Sequence, residues 1–132
     1  MPITQAALTV GSSGTDAVSY TTASITPATN QLVTAVVYND RVASGEASVP
    51  TLSGNGLTWV TGVTVPFGDR RVSLFRTMGG APSAGAVTIA FGVESQNACA
   101  WSINQFDGVD TTGTNGSGAV VQAASNMLIL GT

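Results

Sequence analysis

The chain has 132 residues, only 8% of them charged, and its formal net charge is −3. The four basic residues are all arginines, too few to form the basic stripe that binds a phosphate backbone, so nucleic acid is not an expected partner. Histidine is absent, which excludes the usual Ser-His-Asp and Cys-His catalytic systems and most catalytic zinc sites. We therefore do not expect an enzyme, and we assign no catalytic residues, cofactor or metal.

The length of the chain favours one folded domain over residues 1–132, because a chain of this size buries about two-thirds of the surface that its unfolded form exposes. No run of residues approaches the roughly 18 apolar residues of a membrane span. The start, residues 1–5, lacks the charged and apolar regions of a signal peptide. We expect synthesis in the cytoplasm and no membrane partner.

The first half of the chain predicts three strands. Residues 17–25 and 31–38 are rich in β-forming residues and are separated by a proline- and asparagine-containing turn at 26–30. Residues 57–65 follow, with apolar side chains at every second position, which is typical of a strand with one face on a core. The alternating residues of this third strand are Leu57, Trp59, Thr61, Val63 and Val65.

The second half predicts three longer strands at 70–78, 87–91 and 98–105, and two final short strands at 119–122 and 127–130. Glycine-rich turns separate them. Most connections are too short for the crossover helix that parallel neighbours need, so the strands should pair antiparallel. The sequence predicts an all-β fold, a two-sheet antiparallel β-sandwich of jelly-roll or immunoglobulin-like type with about eight strands.

The alternation within the predicted strands assigns side chains to the core. Cys99 is predicted to be a small buried hydrophobic residue. It cannot form an intrachain disulfide, because it is the single cysteine. Phe75 has the parity opposite to Val72 and Leu74, so a simple sandwich would leave it facing outward. The predicted core is centred on Trp59, Trp101, Val72, Leu74, Ile89 and Phe91.

Residues 39–50 form the longest connection, and their weak hydrophobicity predicts an exposed loop that is either mobile or reaches a neighbouring molecule. The neighbouring arginines Arg70 and Arg71 are interpreted as a solubility or contact feature at a strand end. The glycine-rich stretch 108–118 is predicted to be a surface loop.

Two binding chemistries and two structural roles are open to the same residues. Asp107 and Asp110 could offer oxygen ligands to calcium, but their spacing does not match an EF-hand loop, and we favour turns in which they bond their own backbone. Trp59 and Trp101 could stack on sugar rings, but they share the parity of apolar residues, and we favour the core. Carboxylate pairs for glycoside hydrolysis could be drawn from Asp69, Glu94, Asp107 and Asp110, without any sign of a substrate groove.

Several runs resemble a family of β-sandwich domains found in tailed-phage structural proteins and bacterial surface proteins. The runs are Leu-Ser-Gly-Asn-Gly-Leu-Thr-Trp at 52–59, Arg-Arg-Val-Ser-Leu-Phe-Arg at 70–76, Gly-Ala-Val-Thr-Ile at 85–89 and Ala-Trp-Ser-Ile-Asn-Gln-Phe-Asp-Gly-Val-Asp at 100–110. The resemblance extends to 20–27 and 113–118, so it covers most of the chain. It implies a sandwich fold and carries over no catalytic residues.

The resemblance implies a virion structural protein, and we expect a decoration or cement protein that binds the major capsid protein or other virion subunits as a homo-oligomer or multivalent assembly. The alternative is a carbohydrate-binding or adhesive module of a tail fibre or cell surface. Relatives of this kind usually continue with another apolar strand, whereas this chain stops at Thr132. We therefore expect either a shortened last strand that pairs in its own sheet or strand addition to a neighbouring subunit. The predicted interface comprises Phe67, Phe75, Arg41, Glu46, Met127, Leu128, Ile129 and Leu130.

Overall fold

A computed structural model of the chain describes residues 2–126. Within this range every paired strand is antiparallel and no helix occurs, which confirms the predicted all-β, two-sheet sandwich. The strands are β1 Thr4–Ser13, β2 Ser19–Thr21, β3 Leu32–Arg41, β4 Thr51–Ser53, β5 Val60–Phe67, β6 Arg70–Thr77, β7 Thr88–Ala90 and β8 Gln96–Asp107.

The two sheets are unequal in size. The larger sheet has five strands in the order β1-β8-β3-β6-β5, and the smaller has three in the order β2-β7-β4. Strands β5 and β6 form a hairpin in which Phe67 is opposite Arg70, so the turn has only two residues. The first of them, Gly68, has a φ of 59°, a conformation that a side chain disfavours and that two-residue hairpin turns often require.

Six predicted strands overlap β2, β3, β5, β6, β7 and β8. Strands β1 and β4 were missed: β1 is an edge strand whose alternation is broken by a bulge between Ala7 and Thr9, and β4 has only three residues. Residues 119–122 are not a strand, so that prediction is wrong. The predicted strand at 127–130 lies outside the described residues.

The core lies between the two sheets. Trp101, Ile89 and Phe91 are buried in it as predicted, and Trp59 packs against it while half-buried. Tyr20 joins the sheets, because its ring meets Phe91 edge-on and its hydroxyl donates to the carbonyl of Gln96 at 3.0 Å. The buried set is Tyr20, Ile25, Val33, Ala35, Val37, Phe75, Val87, Ile89, Phe91, Cys99, Trp101 and Ile103.

Trp101 also depends on the absence of a side chain on the neighbouring strand. Gly11 of β1 is paired with Trp101 of β8, and a Cβ placed at Gly11 would be 2.8 Å from the indole ring. Carbon atoms in contact are normally separated by about 3.5–4.0 Å. The indole therefore occupies space that is open only because residue 11 is a glycine and has no Cβ.

The two faces of β6 are reversed relative to the prediction: the residues predicted to face outward face the core. Phe75 is only 1% exposed and lies in the core, whereas Val72 is exposed and Leu74 is half-buried on the outer face of the large sheet. Both faces of β6 contain apolar and polar residues, so the alternation alone could not fix the inner face. The larger aromatic ring takes the enclosed side, where it buries more apolar surface. The prediction of Val72 and Leu74 as core residues is therefore wrong.

Phe75→Ala should lower the free energy of unfolding by about 3–5 kcal/mol, because it leaves a cavity in the core. Phe67→Ala is the matched control, since Phe67 is 56% exposed and surface substitutions usually change stability by at most about 0.5 kcal/mol. Chemical denaturation monitored by circular dichroism measures both. Equal stability of the two variants would contradict the inward position of Phe75.

Candidate contact surface

The segment 42–50 connects the large sheet to the small one, because it runs from the end of β3 to the start of β4. Asn39 belongs to β3 and is buried, and Ala47 and Pro50 are also buried. Residues 42–46 are exposed. The prediction of an exposed loop over the whole of 39–50 is therefore wrong at both of its ends and at Ala47.

Arg71 holds this segment against β6. Its side chain is 7% exposed, and its Nε donates to the carbonyl of Ala47 at 2.6 Å. Its two terminal nitrogens donate to the hydroxyl of Thr64 and to the carboxylate of Glu46. Arg71 is therefore a buried anchor for the loop, whereas Arg70 is exposed and pairs with Asp40 at 3.4 Å. The shared interpretation of the two arginines as a strand-end feature is wrong for Arg71.

Glu94 holds the same segment from the other side. One carboxylate oxygen accepts hydrogen bonds from the amide of Ser48 and the side chain of Gln96, and the other accepts from the hydroxyl of Ser48. Arg41 Nε is 3.3 Å from this carboxylate. Burial opposes ionisation of Glu94, but the bonds from Ser48 and Gln96 and the charge of Arg41 outweigh it and lower its pKa.

Backbone hydrogen bonds join three loops at one end of the sandwich. The amide of Arg41 donates to the carbonyl of Asp69 at 2.7 Å, that of Val42 to Ser95 at 3.0 Å, and that of Ala47 to Gly68 at 3.2 Å. We call this surface the loop end and define it as residues 41–48, 67–69 and 92–95. Its shape is fixed by bonds between the loops.

The loop end exposes three apolar side chains. Val93 is fully exposed at 100%, Phe67 is 56% exposed, and Val42 is exposed as well. Ion pairs of Arg41 and Glu46 lie beside them. An apolar group with a polar rim on a fixed backbone can bind another protein surface at a small entropic cost.

Only some of the predicted interface residues lie on one surface of the structure. Arg41, Glu46 and Phe67 lie together at the loop end. Phe75 is buried in the core and cannot contact a partner directly, so its assignment as an outward contact is wrong. Met127, Leu128, Ile129 and Leu130 lie outside the described residues. Sequence reasoning missed Val42 and Val93, because a single valine in a polar loop carries no periodic signal.

The residues considered for ligand chemistry serve the fold in the described part of the chain. Asp107 Oδ1 accepts from the amide of Gly108 at 2.8 Å, and Asp110 Oδ1 accepts from that of Thr112 at 2.7 Å, as expected for aspartates that bond their own backbone. The bond from Thr112 lowers the pKa of Asp110. Residues 2–126 contain no group of three or more possible metal ligands.

Cys99 and the two tryptophans are likewise part of the interior. Burial raises the pKa of the Cys99 thiol to about 12, so it is un-ionised at neutral pH and unreactive as a nucleophile. Trp101 is buried and Trp59 packs against the core cluster. The buried Trp101 ring offers no open face of the kind that sugar stacking uses, and part of the Trp59 side chain is covered by the core.

Arg71→Met should lower the free energy of unfolding by about 1–3 kcal/mol, because the buried carbonyl of Ala47 loses its hydrogen bond. Arg70→Met removes the same charge from the exposed neighbour and should change stability by no more than about 0.5 kcal/mol. Equilibrium unfolding in urea measures both variants. Indistinguishable midpoints would refute the anchoring role.

Glu94 should make stability depend on acidity. Its pKa in the folded protein is below its ordinary value of 4.5, so its stabilising contribution is complete above about pH 4.5 and is lost as the pH falls through the folded-state pKa. Glu94→Gln should therefore be less stable than wild type at pH 7 and should lose less stability on acidification. Melting temperatures measured from pH 7 to pH 2.5 test this, with the exposed Asp16→Asn as the control for charge. An unchanged acid profile in Glu94→Gln would contradict it.

Comparisons with protein-family models, with curated proteins and with solved structures gave no match. The resemblance to phage and bacterial-surface sandwiches therefore stays a prediction from the sequence motifs. No helix within residues 2–126 combines the length and the apolar character needed to cross a membrane.

Proposed function

We propose that this chain is a non-enzymatic structural protein of a phage virion, a decoration protein that binds the outer surface of the capsid through its loop end. The observation that carries the proposal is the group of exposed apolar side chains, Val42, Phe67 and Val93, on loops that are hydrogen-bonded to each other. The motif resemblance described above is consistent with this role.

The fixed backbone of the loop end favours binding without catalysis. Association costs free energy for every loop that must become ordered, and the bonds of Arg41, Val42 and Ala47 have already ordered these loops. Phe67 and Val93 can then enter shallow apolar depressions of a partner. Aromatic side chains surrounded by polar groups are the usual centres of protein interfaces.

Multivalent attachment suits the surface composition. Only 8% of residues are charged and the net charge is −3, so neighbouring copies repel one another weakly. Many copies can then be held close together on a symmetric shell. A weak contact at each loop end is sufficient if a homo-oligomer presents several of them at once.

Co-sedimentation of the purified chain with empty capsids tests the proposal. The Phe67→Ser and Val93→Ser double variant should bind roughly tenfold or more weakly, because truncating a central interface residue typically costs more than about 1 kcal/mol. Ile3→Ser is the matched control. Ile3 is also exposed, but it adjoins β1 where that strand pairs with the end of β8, at the opposite end of the sandwich.

The double variant should melt like the wild type, since both side chains are exposed. Unchanged capsid binding by this folded variant would refute the loop end as the contact surface. If the wild-type protein did not bind capsids but bound immobilised glycans, this result would instead support the adhesive alternative.

A further inference from the structure

The outer face of the large sheet is unusually apolar. Antiparallel sheets commonly direct polar residues toward solvent on the face that is not packed on the core. Here Val10 of β1 is 72% exposed and Val36 of β3 is 41% exposed, both on the face opposite to the core. We call this surface the valine face and define it as Val10, Val36, Tyr38, Val72, Leu74 and Ala100.

The strand register arranges this face in two rows. Val10, Ser102, Val36 and Leu74 are successive partners across β1, β8, β3 and β6. Ala100, Tyr38 and Val72 form the adjacent row across β8, β3 and β6. The rows contain no charged residue, so a charged ligand would find no partner on them.

Two shallow grooves cross the valine face and meet at Val36. The first lies over β3, β5 and β6, and residues 122–126 form its other wall. The second lies over β1, β3 and β8, where Val10, Tyr38 and Ala100 line it. Val36 lines both grooves, so the two grooves adjoin at this residue.

The course of the chain leads into these grooves. Asn126 and Val36 are both lining residues of the first groove, and the next four residues of the sequence are Met127, Leu128, Ile129 and Leu130. Four extended residues span about 13 Å. The distance from β3 across β8 to β1 is two strand spacings, or about 10 Å.

We propose that the valine face is the docking surface for Met127–Leu130 of the same chain. The groove and the segment match in chemistry, because both are apolar and uncharged. They also match in reach, because the segment follows directly after residues 122–126, which form one wall of the groove. Covalent connection gives the segment an effective local concentration in the millimolar range, which favours it over the same segment of another molecule. The inference stands independently of the proposed capsid role.

Disulfide trapping tests the proposal on the full chain. Val36→Cys is combined in turn with Leu128→Cys and Ile129→Cys, because successive residues of an extended segment face opposite sides. One of these pairs should form an intramolecular disulfide at least tenfold faster than its control. The control replaces Val36→Cys by Val93→Cys at the loop end, which is more exposed. Native Cys99 is buried and should not compete.

Rates are read by non-reducing electrophoresis and mass spectrometry. Equal rates with Val36→Cys and Val93→Cys would overturn the proposal, because they would show only random encounters of a tethered thiol. Disulfides that form only between molecules, at a rate that rises with protein concentration, would also overturn it and would assign the groove to a second copy. Capsid co-sedimentation is measured separately, so failure here leaves the loop-end proposal untouched.

Discussion

The hydrogen bond from Arg71 to the carbonyl of Ala47 anchors a segment that compensates for the unequal sizes of the two sheets. Each strand of the small sheet has three residues and spans about 10 Å, whereas β3 and β8 have ten and twelve residues. The small sheet cannot cover the inner face of the large one. Residues 47–50 supply part of the missing cover, because Ala47 and Pro50 are buried and Val49 packs against the core. The buried backbone polar groups of these residues must be satisfied inside the protein. Arg71 and Glu94 do this from opposite sides.

The loop end and the valine face are two separate surfaces of the molecule. Ordering of the covering segment also fixes the neighbouring turns at 67–69 and 92–95, so the exposed valines and phenylalanine of the loop end stand on a rigid base. The valine face lies on the outer side of the large sheet and shares no residue with the loop end. A partner bound at the loop end and a segment docked on the valine face would therefore not compete for the same atoms.

The sequence was most informative where alternation and turn residues agreed, and it failed where they did not. Cys99, Trp101 and Ile103 alternate with the small residues Ala100 and Ser102, so β8 and its inner face were predictable. In β6 both parities contain apolar residues, and only packing of Phe75 decides the inner side. The bulge in β1 interrupts its period. The anchoring role of Arg71 was not predictable, because it depends on Ala47, which is distant in sequence and contacts it only in the folded protein.

The close approach of Trp101 to Gly11 has an evolutionary consequence. The two residues share one volume on neighbouring strands, so position 11 cannot gain a side chain while position 101 is tryptophan. A side chain at position 11 would require a smaller residue at position 101, and a return to tryptophan would require glycine again. In sequences that share this fold, these two positions should vary as a pair whose combined volume is conserved, although they are 90 residues apart along the chain.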